Sequence, residues 1–256
     1  MTLRVDLNCD LGESFGPWQM GADEAVMPFI TSANVACGVH AGDPGTMRRT
    51  VELAYRHRVA IGAHPGLPDR VGFGRRAMAI SPEEAHDLVL SQIGALDAFV
   101  RAAGSQLRHV KAHGALYNQA VTDEALAEAI AAAAHDFAPA LVLVGLPSSA
   151  LERAAARAGV PFAAEVFADR NYRADGTLTP RSTPGALVSE PSEAAARAVA
   201  MVREGRVRAV TGEWVTVRAE TICIHGDNPA AVAMVEAIRR SLEAAGVEVA
   251  PLASRT

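Results

Sequence analysis

Cysteine is scarce in this chain of 256 residues: there are three, Cys9, Cys37 and Cys223, far apart and with no C-x-x-C pair. That spacing excludes a disulfide framework and a thiolate zinc site, and it fits reduced thiols and a cytoplasmic location. Aromatic residues make up only 5% while 50% of residues are hydrophobic, so the core is expected to be large, aliphatic and helix-rich, which excludes disorder. Basic runs never exceed two residues and the net charge is −5. Neither a nucleic-acid surface nor a basic membrane face is built that way, which leaves small molecules and proteins as partners. The most apolar stretch, "FAPALVLVGLPSSAL" at 137–151, contains two prolines and falls short of the ~20 residues of a membrane helix. The N-terminal "MTLRVDLNCD" enters a strand pattern at once, without the charged and apolar regions of an export leader. No linker divides the chain, so one domain over residues 1–256 is expected.

Motifs of phosphate and acyl chemistry are missing as well. There is no G-x-x-x-x-G-K-[ST], no G-x-G-x-x-G after a strand and no G-x-S-x-G elbow. No cysteine is read on an inward strand parity where it could serve as nucleophile. General acid/base hydrolysis remains, with or without a divalent metal.

What the sequence does hold is a rhythm of short β-type runs and longer helical patterns, the form of βα repetition around a parallel sheet. Strands are expected at "LRVDLNC", "SANVAC", "VAIGAH", "LRHVKAH", "ALVLVG", "PFAAEVF" and "TICIHG". Helix starts are marked by Asp43-Pro44, Ser81-Pro82, Thr122 with Asp123 and Glu124, Pro191 between Ser189 and Ser192, and Asn228-Pro229. "TGEW" at 211–214 separates two β-type runs, as in a hairpin inserted before the last strand.

Polar residues fall where such a fold keeps its chemistry. In "VDLNCDLGE", Asp6, Asn8 and Asp10 share one parity and Val5, Leu7, Cys9 and Leu11 the other, so a barrel strand would carry its carboxylates inside. A solvated edge strand is the plainer alternative. His40, His64, His113 and His225 each follow a strand, Lys111 shares a face with His113, and Glu165 and Asp169 bracket "EVFAD". His57, His86 and His135 sit in helical patterns and read as surface or packing residues. The charged stretch "EVFADRNYRADGTLTPR" at 165–181 is either a solvated loop or a lid on the same mouth, its arginines clamping an anion. Arg75 and Arg76 in "HPGLPDRVGFGRR" offer a second clamp.

The ordered set "DLNCDLGESFG", "SANVACGVHAGDP", "GAHPGLPDRVGFGRR", "HVKAHGALYN", "EVFADRNYRADGTLTPR" and "ICIHGDNP" resembles the motifs of the LamB/YcsF family over residues 3 to about 229. One departure is Ala112, where the family usually has proline. The resemblance implies an irregular seven-stranded (β/α) barrel, TIM-barrel-like and related to the glycoside hydrolase and deacetylase group. It implies ATP-dependent opening of 5-oxo-L-proline to L-glutamate with 5-oxoprolinase subunits B and C, ATP being used by the complex at the partner subunits. On this reading Asp10 with His64 or His113 activates water, Lys111 stabilises oxyanion or phosphate charge, and Glu165 and Asp169 complete the catalytic set. Arg170 and Arg181 hold the substrate's anionic group, with Asn8, His40, Arg76, Tyr172, His225 and Asp227 as further substrate-binding candidates. Asp10, His40 and His64 are the candidates for a divalent metal, and a homo-oligomer is left open. The alternatives are a metal-dependent amide or sugar deacetylase-like hydrolase and a non-catalytic subunit that binds 5-oxoproline.

Overall fold

Short parallel strands joined by helices close on themselves in the computed structural model, which describes residues 3–181, 183–225 and 230–252. From β1 (Arg4–Leu11) the chain passes through α1 (Asp23–Val26) and a 3₁₀ turn to β2 (Ser32–Ala36). Then come α2 (Pro44–His57), β3 (Ala60–His64), α3 (Pro82–Ala102), β4 (Leu107–Lys111), α4 (Gly114–Gln119), α5 (Glu124–Phe137), β5 (Val142–Gly145), α6 (Ala150–Ala158) and β6 (Phe162–Phe167). After α7 (Pro191–Glu204), β7 (Arg206–Arg208) and β8 (Trp214–Thr216) form the expected antiparallel hairpin. It precedes β9 (Thr221–His225), α8 (Ala231–Ala244) and β10 (Glu248–Val249). Strands β1 to β6 and then β9 pair in parallel, and β9 returns to β1 with His225 level with Asp10, so the seven-stranded barrel has no open edge.

Local chemistry sets the helix starts. Asp43 accepts from Thr46 N at 2.9 Å with Pro44 in the first turn of α2, and Ser81 and Glu84 form a reciprocal capping box on α3. Asp123, not Thr122, caps α5, and α7 begins at Pro191 without a side-chain cap. The Asn228-Pro229 start lies outside the described residues. Outward-facing Val5, Leu7, Cys9 and Leu11 join the helices' Val89, Ile93, Leu96 and Ile130 in one aliphatic core. Among the described residues no helix is long and apolar enough to cross a membrane.

The barrel interior depends on one glycine. A Cβ at Gly62 would lie 2.1 Å from His109 Nε2, the atom that bonds Asn34 Oδ1 at 2.7 Å. Gly62→Ala should therefore displace His109 and cost about 1–3 kcal/mol, a fall in Tm of roughly 5 °C readable by thermal denaturation.

Candidate active site

Seven strands present their inward residues to a shaft that is mainly polar. At its lower end Asp6 accepts from the hydroxyls of Thr31 at 2.7 Å, Ser32 at 2.6 Å and Thr221 at 2.5 Å, which makes it a knot between β1, β2 and β9. One rung up, Asn8 donates to Thr221 Oγ1 at 2.6 Å and to Glu165 Oε1 at 3.2 Å, while its own Oδ1 accepts from Asn34 at 2.7 Å. Asn34 also donates to Asp10 Oδ1 at 2.9 Å. This amide lattice fixes the carboxylates above it.

At the centre stands Lys111, the chain's single lysine. Its buried Nζ lies 2.8 Å from Asp10 Oδ1, 2.9 Å from Glu165 Oε1, 3.2 Å from Asn8 Oδ1 and 3.0 Å from Cys223 Sγ. Burial favours the neutral amine, but the adjacent carboxylates outweigh it and hold Lys111 well above the usual ammonium range. Burial likewise opposes charge on Asp10, yet His64 and Lys111 beside it keep this carboxyl well below its ordinary range. An apolar replacement for such a cluster is often more stable by about 1–4 kcal/mol. Such a cluster is therefore weak evidence for stability.

Beside Asp10 lies a histidine group. His64 Nδ1 donates to Lys111 O at 2.7 Å and His113 Nε2 donates to Phe73 O at 2.8 Å, while His64 Nε2 and His113 Nδ1 are 3.0 Å apart. His64 Nε2 is also 3.3 Å from Asp10 Oδ2. His40 stacks on His113 with centroids 3.8 Å apart and rings within 4° of parallel. Burial first, and then neighbouring imidazoles, push both His40 and His113 well below the usual histidine range.

Above these groups opens a cavity of about 560 Å³, with Asp10, His64, Lys111, His113 and His225 in its lining and Arg75, Arg170, Arg173 and Arg181 around it. The loop after β6 supplies three of those arginines, so the charged stretch is a wall of the mouth rather than a solvated loop. Arg170 is buried, spends one nitrogen on Thr179 O at 2.7 Å and leaves Nε unpartnered. Burial and the nearby Arg181 bring it down to about 10. Opposite, Asp169 Oδ2 accepts from His225 Nδ1 at 2.8 Å, which orients that imidazole. Burial raises the Asp169 carboxyl, but His225 overrides it and the net shift is downward.

Most residues singled out in the sequence thus meet in one place. Asn8 and Glu165 lie beneath the cavity, Asp10, His64, Lys111 and His113 on its floor, Arg170, Arg181 and His225 in its wall, and Asp169 behind His225. Tyr172 is fully buried, its hydroxyl accepting from Phe167 N at 2.8 Å, so it braces the loop instead of lining the cavity. Arg76 lies on Asp69 outside the cavity lining, and Arg75 takes the place in the wall. Asp227 lies outside the described residues. Cys223 corrects the reading that no cysteine faces inward: Thr221, Cys223 and His225 share the inward parity of β9. Burial pushes its thiol well up even against the pull of Lys111, so no ready thiolate results.

Two groups could hold a metal among the described residues: Glu13 with His40, His64 and His113, and Asp10 with Cys223 and His225. Asp10, although 3.3 Å from His64, forms such a set with Cys223 and His225, while Glu13 and His113 join His40 and His64. Glu13 was hidden because Gly12, at φ 71°, reverses the strand parity just before it. Asn34 was missed because "SANVAC" reads as an ordinary strand, and His109 was set aside because it sits on the lower part of its strand, below the mouth.

Residues 5–256 match the model of the LamB/YcsF family. The A subunit of 5-oxoprolinase from Tolumonas auensis is 57% identical over 246 residues, 96% of this chain and 98% of that protein. A crystal structure of the lactam utilization protein from Thermus thermophilus superposes with a TM-score of 0.92 at 52% identity, over 97% of this chain and 99% of that one. The catalytic domain of a peptidoglycan N-acetylglucosamine deacetylase from Eubacterium rectale, 10% identical, gives a TM-score of 0.54 over 99% of this chain and 90% of that one, a likeness of fold alone. By the length of the match and the identity of its relatives, the chain belongs to the LamB/YcsF family.

Proposed function

We propose that this chain is the ring-opening subunit of an ATP-dependent 5-oxoprolinase that works with subunits B and C. The observation that carries the reading is a lone buried lysine between two carboxylates at the floor of an arginine-rimmed cavity, in a chain 57% identical to the A subunit of a 5-oxoprolinase. A lactam is a poor electrophile, and its carboxylate has to be held while the ring carbon reacts. Arg170 and Arg181 suit the carboxylate or a phosphoryl group, and the Lys111 charge favours negative charge developing on the lactam carbonyl oxygen.

With no phosphate loop of its own, the chain receives a lactam already activated on oxygen by ATP at the partner subunits. Water then adds to the ring carbon that bears the phosphorylated oxygen, across its carbon–nitrogen double bond. The carbon–nitrogen bond breaks, nitrogen takes a proton and leaves as the amine, and the carbon is left as an acyl phosphate that a second water cleaves to glutamate and phosphate. Asp10 with His64 or His113 is one pair able to take the proton from water. Asp169 with His225 is a second, with Nδ1 committed to the carboxylate and the imidazole in the cavity wall.

The test is glutamate release from 5-oxoproline and ATP by this protein alone and by the protein with subunits B and C. Glutamate formed only by the mixture, with ATP consumed in step, is the expected result. No glutamate from the mixture, with all three components folded, would overturn the reading.

A further inference from the structure

The histidine group beside Asp10 has a hydrogen-bonding arrangement that protons alone do not complete. His64 and His113 each give one ring N–H to a backbone carbonyl, so their remaining nitrogens meet at 3.0 Å as two lone pairs when both rings are neutral. One added proton would join that pair. It would leave His40 unexplained: this ring is 1% exposed, and neither of its nitrogens has a hydrogen-bond partner. Glu13 is buried at the same spot, and one ligand atom from each of the four residues lies within 4.8 Å of the others.

We infer that Glu13, His40, His64 and His113 form a seat for one divalent transition-metal ion of the zinc type. A cation answers all three histidines together, and imidazole nitrogens with one carboxylate are ligands such ions take. The surroundings have a feature of a metal site. Histidine ligands ordinarily give their second N–H to a carbonyl or carboxylate, which fixes the tautomer, and His64 and His113 both do so.

Closing the seat takes a small movement. A tetrahedron of ~2.1 Å bonds has edges of roughly 3.4 Å, and the four ligand atoms already lie within 4.8 Å of one another. His40, now flat against His113, has to turn about χ2 to bring a nitrogen towards the ion, a soft rotation for an imidazole. Two glycines make the space that the ring occupies. A Cβ at Gly66 would lie 2.4 Å from His40 Nδ1, and one at Gly74 would lie 2.9 Å from both His40 Cβ and His113 Cδ2. Gln92 of α3 holds Gly66 in place, donating to its carbonyl and accepting from its N–H, each at 2.9 Å.

The test uses the chain alone, without lactam, ATP or partners, so its outcome is separate from that of the oxoprolinase reading. Chelator-stripped protein is titrated with Co²⁺ and followed by visible absorption, and its Tm is measured with and without Zn²⁺. One equivalent of Co²⁺ should develop the ligand-field bands of a low-coordinate nitrogen and oxygen site, and Zn²⁺ should raise Tm. His40→Ala and His113→Ala should weaken Co²⁺ binding about a hundredfold or more, and Glu13→Gln, which keeps size and packing, should do so even if the histidine variants fold poorly. No bands and no Zn²⁺-dependent rise in Tm would overturn the inference, as would unchanged binding in folded Glu13→Gln and His40→Ala.

Discussion

Lys111→Met is expected to lower glutamate formation by the assembled complex roughly 10²–10³-fold and to weaken the fold in the same stroke. Methionine nearly matches lysine in length, so the change removes charge with little loss of volume. Asp10 keeps His64 at 3.3 Å, but Glu165 loses its cation and keeps the neutral donors Asn8, at 3.2 Å, and Tyr117. Leaving one member of a buried ion cluster without its partner costs about 3–5 kcal/mol. Losing a preorganised positive group from a dry site lowers kcat by roughly 10²–10³-fold. Urea unfolding reads the first effect and single-turnover glutamate release the second, each on protein first shown to be folded. A variant that lost stability but turned over normally would remove Lys111 from the reaction and leave it a strut of the barrel.

Double substitution separates the two roles further. In Lys111→Met with Glu165→Gln the unpaired carboxylate is gone, and the new amide oxygen can still accept from Asn8. Stability should return in part, because replacing a whole ion pair is far less damaging than halving it. Activity should not return, since nothing restores positive charge at that point. Recovery of both together would mean that the cluster acts only through the fold.

The seven strands were legible because short β-type runs alternate with helical patterns, and periodicity survives in a sequence; their closure into a barrel was implied only by the family resemblance. The inward face of β1 was legible for the same reason: Asp6, Asn8 and Asp10 repeat with period two. Parity does not say which rungs of different strands are level. Asn8 meets Glu165 across 157 positions of chain and Lys111 across 103, distances no local pattern encodes. Cys223 escaped because it stands between two isoleucines, where a cysteine reads as one more apolar residue. Glu13 escaped because the left-handed turn at Gly12 broke the period being followed. Arg75 and Arg76 are adjacent, so only the packing of Arg76 on Asp69 decides which one reaches the cavity.

Arg181→Gln is expected to raise KM for 5-oxoproline about 30- to 1000-fold, with a smaller change in kcat. Arg170 and Arg181 are two like charges close enough for the second to help bring the first down to about 10, an arrangement that an incoming anion would relieve. Arg170 is tied to Thr179 O at 2.7 Å and so holds the loop as well as facing the cavity; removing it confuses binding with folding. Arg181 lines the cavity and is only partly buried, which makes it the cleaner test. A charge-assisted contact to a carboxylate or phosphate, once desolvated, contributes about 2–4 kcal/mol on truncation, and the fold-change follows from that range. Arg48→Gln, on the exposed face of α2 and paired with Glu52, serves as the control and should leave both constants unchanged. If KM stayed fixed while kcat fell, Arg181 would be acting on the transition state alone, which is the behaviour expected of a group that meets the phosphoryl charge rather than the substrate's carboxylate.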